Sequence, residues 1–197
     1  SLITENGYRQ IAALEERFRD IHIDGVWSSD LFRTRTTARA VYCPKNLPLH
    51  THPGLREMNL GEWEDWSFGD VRRGNPESMD LFNRTDPAWE VEKGETFFQL
   101  GDRIYDTVRR LVERYPNQTV AIFSHGMAIR QFLGRVKNLP PEEWHAMPHG
   151  DNTAVSCLTF DRERFAIQYE TTPTCRRTSP PWPASPGGGR TRRRRPT

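Results

Sequence analysis

Three short stretches of this chain combine residue types that can handle an oxyanion. In Ser28-Ser29-Asp30-Leu31-Phe32-Arg33-Thr34-Arg35-Thr36-Thr37-Ala38, a strand pattern ends, a helix pattern begins, and Arg33 falls in its first turn. Backbone N–H groups at a helix start and a guanidinium fork together clamp anionic oxygens. In Leu55-Arg56-Glu57-Met58-Asn59-Leu60-Gly61-Glu62-Trp63-Glu64, the carboxylate Glu57 stands near cations and aromatics, a setting for general acid–base chemistry. In Phe123-Ser124-His125-Gly126, a histidine sits where a buried strand pattern meets a helix. Open α/β sheets place ligands at that edge, and Gly126 lets a backbone N–H approach an anion.

Taken singly, each stretch has a plainer reading. Arg33 and Arg35 can solvate a helix surface. The Glu57 stretch can be a charged loop with Trp63 and Trp66 packed as lids. His125 can be a satisfied structural histidine. Together the three place Arg, Glu and His after successive segments that end on one side of a sheet.

The elements around them alternate. Thr4 caps a helix expected over 4–20, with Ile11, Leu14 and Phe18 on one face. A short strand is expected over 23–28, then a helix capped by Ser28-Ser29-Asp30 and ended by Pro44 and Pro48. Residues 55–78 lack a clear period and read as a long functional loop with short helical turns. An amphipathic helix is expected over 94–115, with Ile104, Val108, Leu111 and Tyr115 as its apolar stripe. A buried parallel strand over 119–123, a helix over 127–137 and a hairpin over 154–160 and 165–169 complete the pattern. This predicts an α/β fold, a three-layer α/β/α sandwich on a mostly parallel sheet.

Charge divides the chain. The formal net charge is +2 over 197 residues. From Cys175 to Thr197 there are seven Arg and five Pro with no Lys, Asp or Glu, so the other 174 residues hold 21 basic against 26 acidic groups, a charge of −5. The expected organisation is a folded domain over 1–172 and a disordered Pro/Gly/Arg-rich tail over 173–197. Such a tail attracts polyanions by charge alone, but no aromatic–basic groove points to specific nucleic-acid reading. No apolar run reaches the ~18 residues of a membrane helix. Cys43, Cys157 and Cys175 fit neither a disulfide framework nor a metal site, which points to a reducing cytoplasmic home without metal or cofactor.

With these motifs assembled, residues 2–169 resemble the histidine phosphatase superfamily, also called phosphoglycerate-mutase-like. Leu2-Ile3-Thr4-Glu5-Asn6-Gly7-Tyr8-Arg9-Gln10 looks like the family's Leu-Thr-x-x-Gly-x-x-Gln helix start. The Ser-x-Leu-x-Arg-x-x-x-Thr-Ala pattern runs from Ser29, the acid loop matches at Leu55-Arg56-Glu57 with Gly61-x-Trp63-Glu64, and Ser124-His125-Gly126 matches the second-histidine motif. The resemblance implies that Arg33, with Ser29 and Gly126 beside it, binds the phosphoryl group. It implies that His125 donates a hydrogen bond to that group, and that Glu57 protonates the leaving oxygen and then deprotonates the attacking water.

The compact stretch 61–94 and Gly94-Glu95-Thr96-x-x-Gln99-x-x-x-Arg103 look like the phosphatase branch. The expected activity is therefore phosphomonoester hydrolysis of a small phosphorylated substrate. The alternatives are a mutase-type phosphoryl transferase or a non-catalytic phosphoester- or polyanion-binding protein. Trp63, Trp66, Phe68 and Trp89 can wall a pocket for a ring-bearing substrate or belong to the core.

The family's nucleophile is a histidine in an Arg-His-Gly motif on a first strand ahead of the helix matched at Thr4; Arg-His-Gly does not occur here. The resemblance thus implies a domain whose first strand, nucleophile and one phosphate arginine are missing, with activity absent or impaired. An incomplete or frame-shifted gene product, or a genuine basic tail, would account for the two ends. The open strand edges would invite dimerisation.

Overall fold

The computed structural model describes residues 2–172; the basic stretch expected to be disordered lies outside the described residues. Thr4 caps α1 (Glu5–Phe18), its hydroxyl accepting from the Gly7 N–H, and Leu14 and Phe18 point into the core. β1 (Gly25–Ser28) is buried along its whole length. It is the middle strand of a parallel sheet, with β2 (Leu49–Thr51) on one side and β3 (Val120–Phe123) on the other. Strand alternation then assigns the two faces. Val26 and its register partner Ala121 pack toward α1 and α2 (Phe32–Tyr42), whereas Trp27 and Ile122 pack toward α5 (Phe97–Val112) and α6 (Gly126–Val136). Two apolar clusters on opposite faces of one sheet make the three layers.

Four details differ from expectation. β2 follows Pro48 directly, where only the end of a helix was expected. α2 is not capped by the serines: Leu31 holds the N-cap position without a side-chain bond, and the Ser29 hydroxyl lies on His125 and Thr34 and accepts from the Leu31 N–H only at 3.4 Å. The stretch expected to be loop holds α3 (Phe68–Gly74) and then α4 (Pro76–Asn83). Ser67 accepts from the Asp70 N–H and Asn75 from the Ser78 N–H, so side-chain caps support helices too short to show a period. The late hairpin, β4 (Val155–Phe160) and β5 (Phe165–Thr172), is antiparallel and forms a sheet of its own.

α5 opens with a full capping box: the Thr96 hydroxyl accepts from the Gln99 N–H at 3.2 Å and the Gln99 side chain accepts from the Thr96 N–H at 2.9 Å. Trp89 is fully buried, packed against Trp63 at 5.2 Å and Phe97 at 5.3 Å between ring centroids. These two tryptophans therefore anchor the α3–α4 region to the core, while Trp66 and Phe68 stay exposed. No described helix is long and apolar enough to cross a membrane.

Candidate active site

β1 and β3 run parallel, so their carboxyl ends emerge together and bring Ser29 beside His125. Ser29 follows β1 and His125 caps α6 after β3. Arg33 lies in the first turn of α2, and its Nε donates to His125 Nδ1 at 3.1 Å. A guanidinium only donates, so Nδ1 is unprotonated and the neutral ring carries its proton on Nε2. That nitrogen lies 2.7 Å from Ser29 Oγ, which lies 2.5 Å from Thr34 Oγ1; Thr34 donates onward to the Leu31 carbonyl at 2.9 Å. The proton direction is thus set along the line from His125 through Ser29 and Thr34 to Leu31. Burial, with the Arg33 and Arg103 charges adding to it, pushes the His125 imidazole down to about 4.

Ser29 is fully buried. Its hydroxyl lies on His125 and Thr34, and Ser29 is not among the residues that line the cleft, so in this structure it holds the imidazole in place. Thr34 belongs to the same line and carried no signal beyond the motif it sits in.

Glu57 reaches the start of α6. Its Oε1 accepts from the N–H groups of Met58 and Ala128, both at 3.0 Å, and its Oε2 accepts from Met127 N–H at 3.1 Å. The carboxylate therefore takes two of the N–H groups that a helix start leaves unpaired. Gly126, next in line, is exposed. A Cβ built there would meet Glu57 Oε2 only at 4.0 Å, so the glycine leaves the helix start open rather than relieving a clash.

The loop carrying Glu57 is tied down from several sides. Arg103 on α5 donates to Glu95 Oε1 and Oε2 at 2.6 and 2.7 Å, and to the carbonyls of Gly54, Arg56 and Glu57 at 2.9, 3.2 and 3.3 Å. Arg56 grips Asp30 through two 2.6 Å bonds, and this pairing holds the Asp30 carboxyl below its usual range. Ser124 Oγ donates to the Leu55 carbonyl at 2.8 Å. The sequence displayed Glu95 and Arg103 only as a spacing; their function as a clamp needs the fold.

Arg33, Glu57, His125 and Gly126 all line one cleft of about 1360 Å³. The same cleft runs along β3 and β4, and β3 pairs only with β1 among the described strands. The tryptophans weighed as a ring pocket do not line it. Chemically, the cleft end offers a guanidinium, an open helix start, a neutral imidazole of fixed tautomer and a carboxylate anchored by backbone N–H groups. Among the described residues no cluster of His, Cys, Asp or Glu has the arrangement to hold a metal.

The chain is similar to several known proteins. A probable phosphoglycerate mutase GpmB of Yersinia pestis is 31% identical over 144 residues, covering 71% of this chain and 65% of that protein. The chain thus spans less than two thirds of the curated relative it matches. Bacillus stearothermophilus YhfR superposes with a TM-score of 0.83 at 25% identity, over 87% of this chain and 85% of that one. A mycobacterial glucosyl-3-phosphoglycerate phosphatase complexed with VO3 shares the fold, with a TM-score of 0.77 at 23% identity over 87% and 88% of the two chains. The family model for the histidine phosphatase superfamily, branch 1, matches residues 1–172, every described position included. This chain belongs to the histidine phosphatase superfamily.

Proposed function

We propose that this chain binds phosphomonoesters at the cleft end formed by Arg33, Glu57, His125 and Gly126, and that the reaction built around this site is hydrolysis. One observation carries the reading. The Arg33 guanidinium, whose Nε lies on His125, and the start of α6, whose next two N–H groups lie on Glu57, meet at one cleft. Phosphoryl transfer needs positioning and charge neutralisation above all, and these groups supply both. Arg33 and the Gly126 N–H clamp phosphoryl oxygens. His125, held through Ser29, orients Arg33 and can donate to the phosphoryl group once protonated. Glu57, in its protonated form, passes its proton to the leaving oxygen as the ester P–O bond breaks and the phosphoryl group bonds to a nucleophile other than Arg33, Glu57 or His125. It then takes a proton from the water that displaces that nucleophile, so that in sum phosphoester and water become alcohol and phosphate.

We propose also that these 197 residues alone do not form a phosphohistidine. His125 is engaged at both ring nitrogens, and Arg-His-Gly is absent from the sequence. The test is to assay the purified chain with an aryl phosphate and to measure phosphate and vanadate binding, beside an Arg33→Ala, His125→Ala double variant. Anion binding that disappears in the double variant supports the site. Equal binding in both removes it. Turnover at ordinary enzyme rates of about 1 s⁻¹ or more, abolished by the double variant, would overturn the account of the nucleophile. The name of the curated relative favours a mutase as a second reading; phosphoryl transfer to a phosphoglycerate in preference to water would establish it.

A further inference from the structure

Arg130 is a deeply buried cation, 4% exposed, on the same helix that Glu57 caps. All five of its N–H donors go to uncharged acceptors. Nε donates to the Met147 carbonyl at 2.8 Å. One terminal nitrogen donates to Thr85 Oγ1 at 2.7 Å and to His149 Nε2 at 3.2 Å. The other donates to the carbonyls of Trp144 at 2.9 Å and His145 at 3.2 Å. None of these partners is a carboxylate. A buried charge without a counter-ion is costly, and an apolar residue would fill the place more cheaply. Burial accordingly pulls the Arg130 guanidinium below its ordinary range.

The acceptors come from two remote segments. Thr85 follows α4, and residues 144–149 lie between α6 and β4. Arg130 therefore ties the α3–α4 region and the 144–149 turn to the helix that anchors Glu57. It also determines a tautomer. His149 Nε2 must accept, so its neutral ring carries the proton on Nδ1, the reverse of His125. Pro148 and Gly150 line the cleft, as Arg130 does; His149 between them is not among the lining residues and is exposed beside the cleft. Burial first, and then the Arg130 charge, pull the His149 imidazole below its ordinary range, and the Glu57 charge opposes them.

We propose that Arg130 is a positioning residue that holds His149 as a neutral Nδ1–H donor for the organic part of a phosphoester bound in the cleft. This rests on the phosphomonoester reading and extends it to recognition beyond the phosphoryl group. The test uses the full chain labelled with ¹⁵N-histidine. Long-range ¹H–¹⁵N correlation without ligand should show His149 as the Nδ1–H tautomer and His125 as the Nε2–H tautomer. In Arg130→Met, His149 should revert to the commoner Nε2–H form while His125 is unchanged. Titration with phenyl phosphate and with inorganic phosphate should show His149→Ala weakening the ester about fivefold, the worth of about one hydrogen bond, and inorganic phosphate by less than twofold. His149 is exposed, so this variant stays informative if Arg130→Met does not fold. An Nε2–H tautomer in the unaltered chain overturns the proposal, as does an equal loss for both ligands or no loss for either. If the unaltered chain binds neither ligand, the phosphoester reading and the ligand role both fall. The ligand-free spectrum still decides the Arg130–His149 arrangement, so the two failures are distinguishable.

Discussion

Arg33 Nε donates to His125 Nδ1 at 3.1 Å, so the residue best placed to bind an anion is held, before any anion arrives, by the histidine beside it. The pair is cation to neutral base, and burial around His125 penalises a second charge there. An incoming phosphoryl group changes that balance, because it supplies the negative charge that lets the imidazole protonate.

Anion binding should therefore take up a proton at His125. Sulfate is the suitable probe, since it does not titrate near neutrality. Calorimetry at pH 6 in buffers of different ionisation enthalpy should show proton uptake on sulfate binding, and His125→Gln should bind without it. Buffer-independent heats in the unaltered chain would contradict this.

Stability should depend on pH through the same ring. His125 titrates near 4 in the folded chain against 6.5 for the free side chain. Between those values the unfolded chain binds more protons, so stability rises with pH from about 4 to about 6.5 and levels off above. A gap of about two and a half units corresponds to about 3 kcal/mol at most. Urea unfolding from pH 4.5 to 7.5 should show this slope, and His125→Gln should flatten it.

Glu57 also holds a helix end. Removing its carboxylate leaves the N–H groups of Met58, Met127 and Ala128 without this acceptor. Glu57→Ala should cost about 1–2 kcal/mol, as for loss of a good N-cap. Glu57→Gln keeps one acceptor oxygen but turns an N–H₂ toward an N–H, so it should fall between. Chemical denaturation of the three proteins, with circular dichroism as readout, measures the order.

Arg103 should matter more than its distance from the phosphoryl site implies. It pairs with Glu95 and spans three carbonyls of the Glu57 loop. Arg103→Met strands the Glu95 carboxylate, which also accepts from Asn59 N–H, and should cost about 2–3 kcal/mol. Arg103→Lys should recover only part, because a single ammonium does not match the fork. Equal stability of all three proteins would show the clamp to be dispensable.

The sequence by itself determined the layered α/β arrangement and the three polar stretches, because both rest on local regularities. Apolar residues at helical spacing in α1 and α5, and the unbroken apolar run of β3, declare which side is buried. Thr4 marks a helix start within four residues of chain. The partner that each polar atom found was set by packing. Ser29 reads as a helix cap and a phosphate ligand, yet the parallel pairing of β1 with β3 delivers it to His125, 96 positions away in sequence. Arg103 reads only as the last position of the Gly94–Arg103 spacing, but packing of α5 turns it onto the Glu57 loop. The contact between His149 and Arg130, and the tautomer it imposes, exists only once the 144–149 turn folds over α6. α3 and α4 were legible only as short helical turns in a loop, because short capped helices have no periodicity to read. Polar groups far apart in sequence can satisfy one another in many ways, and it is backbone packing that selects one, since each buried donor must find an acceptor in the single arrangement the core allows.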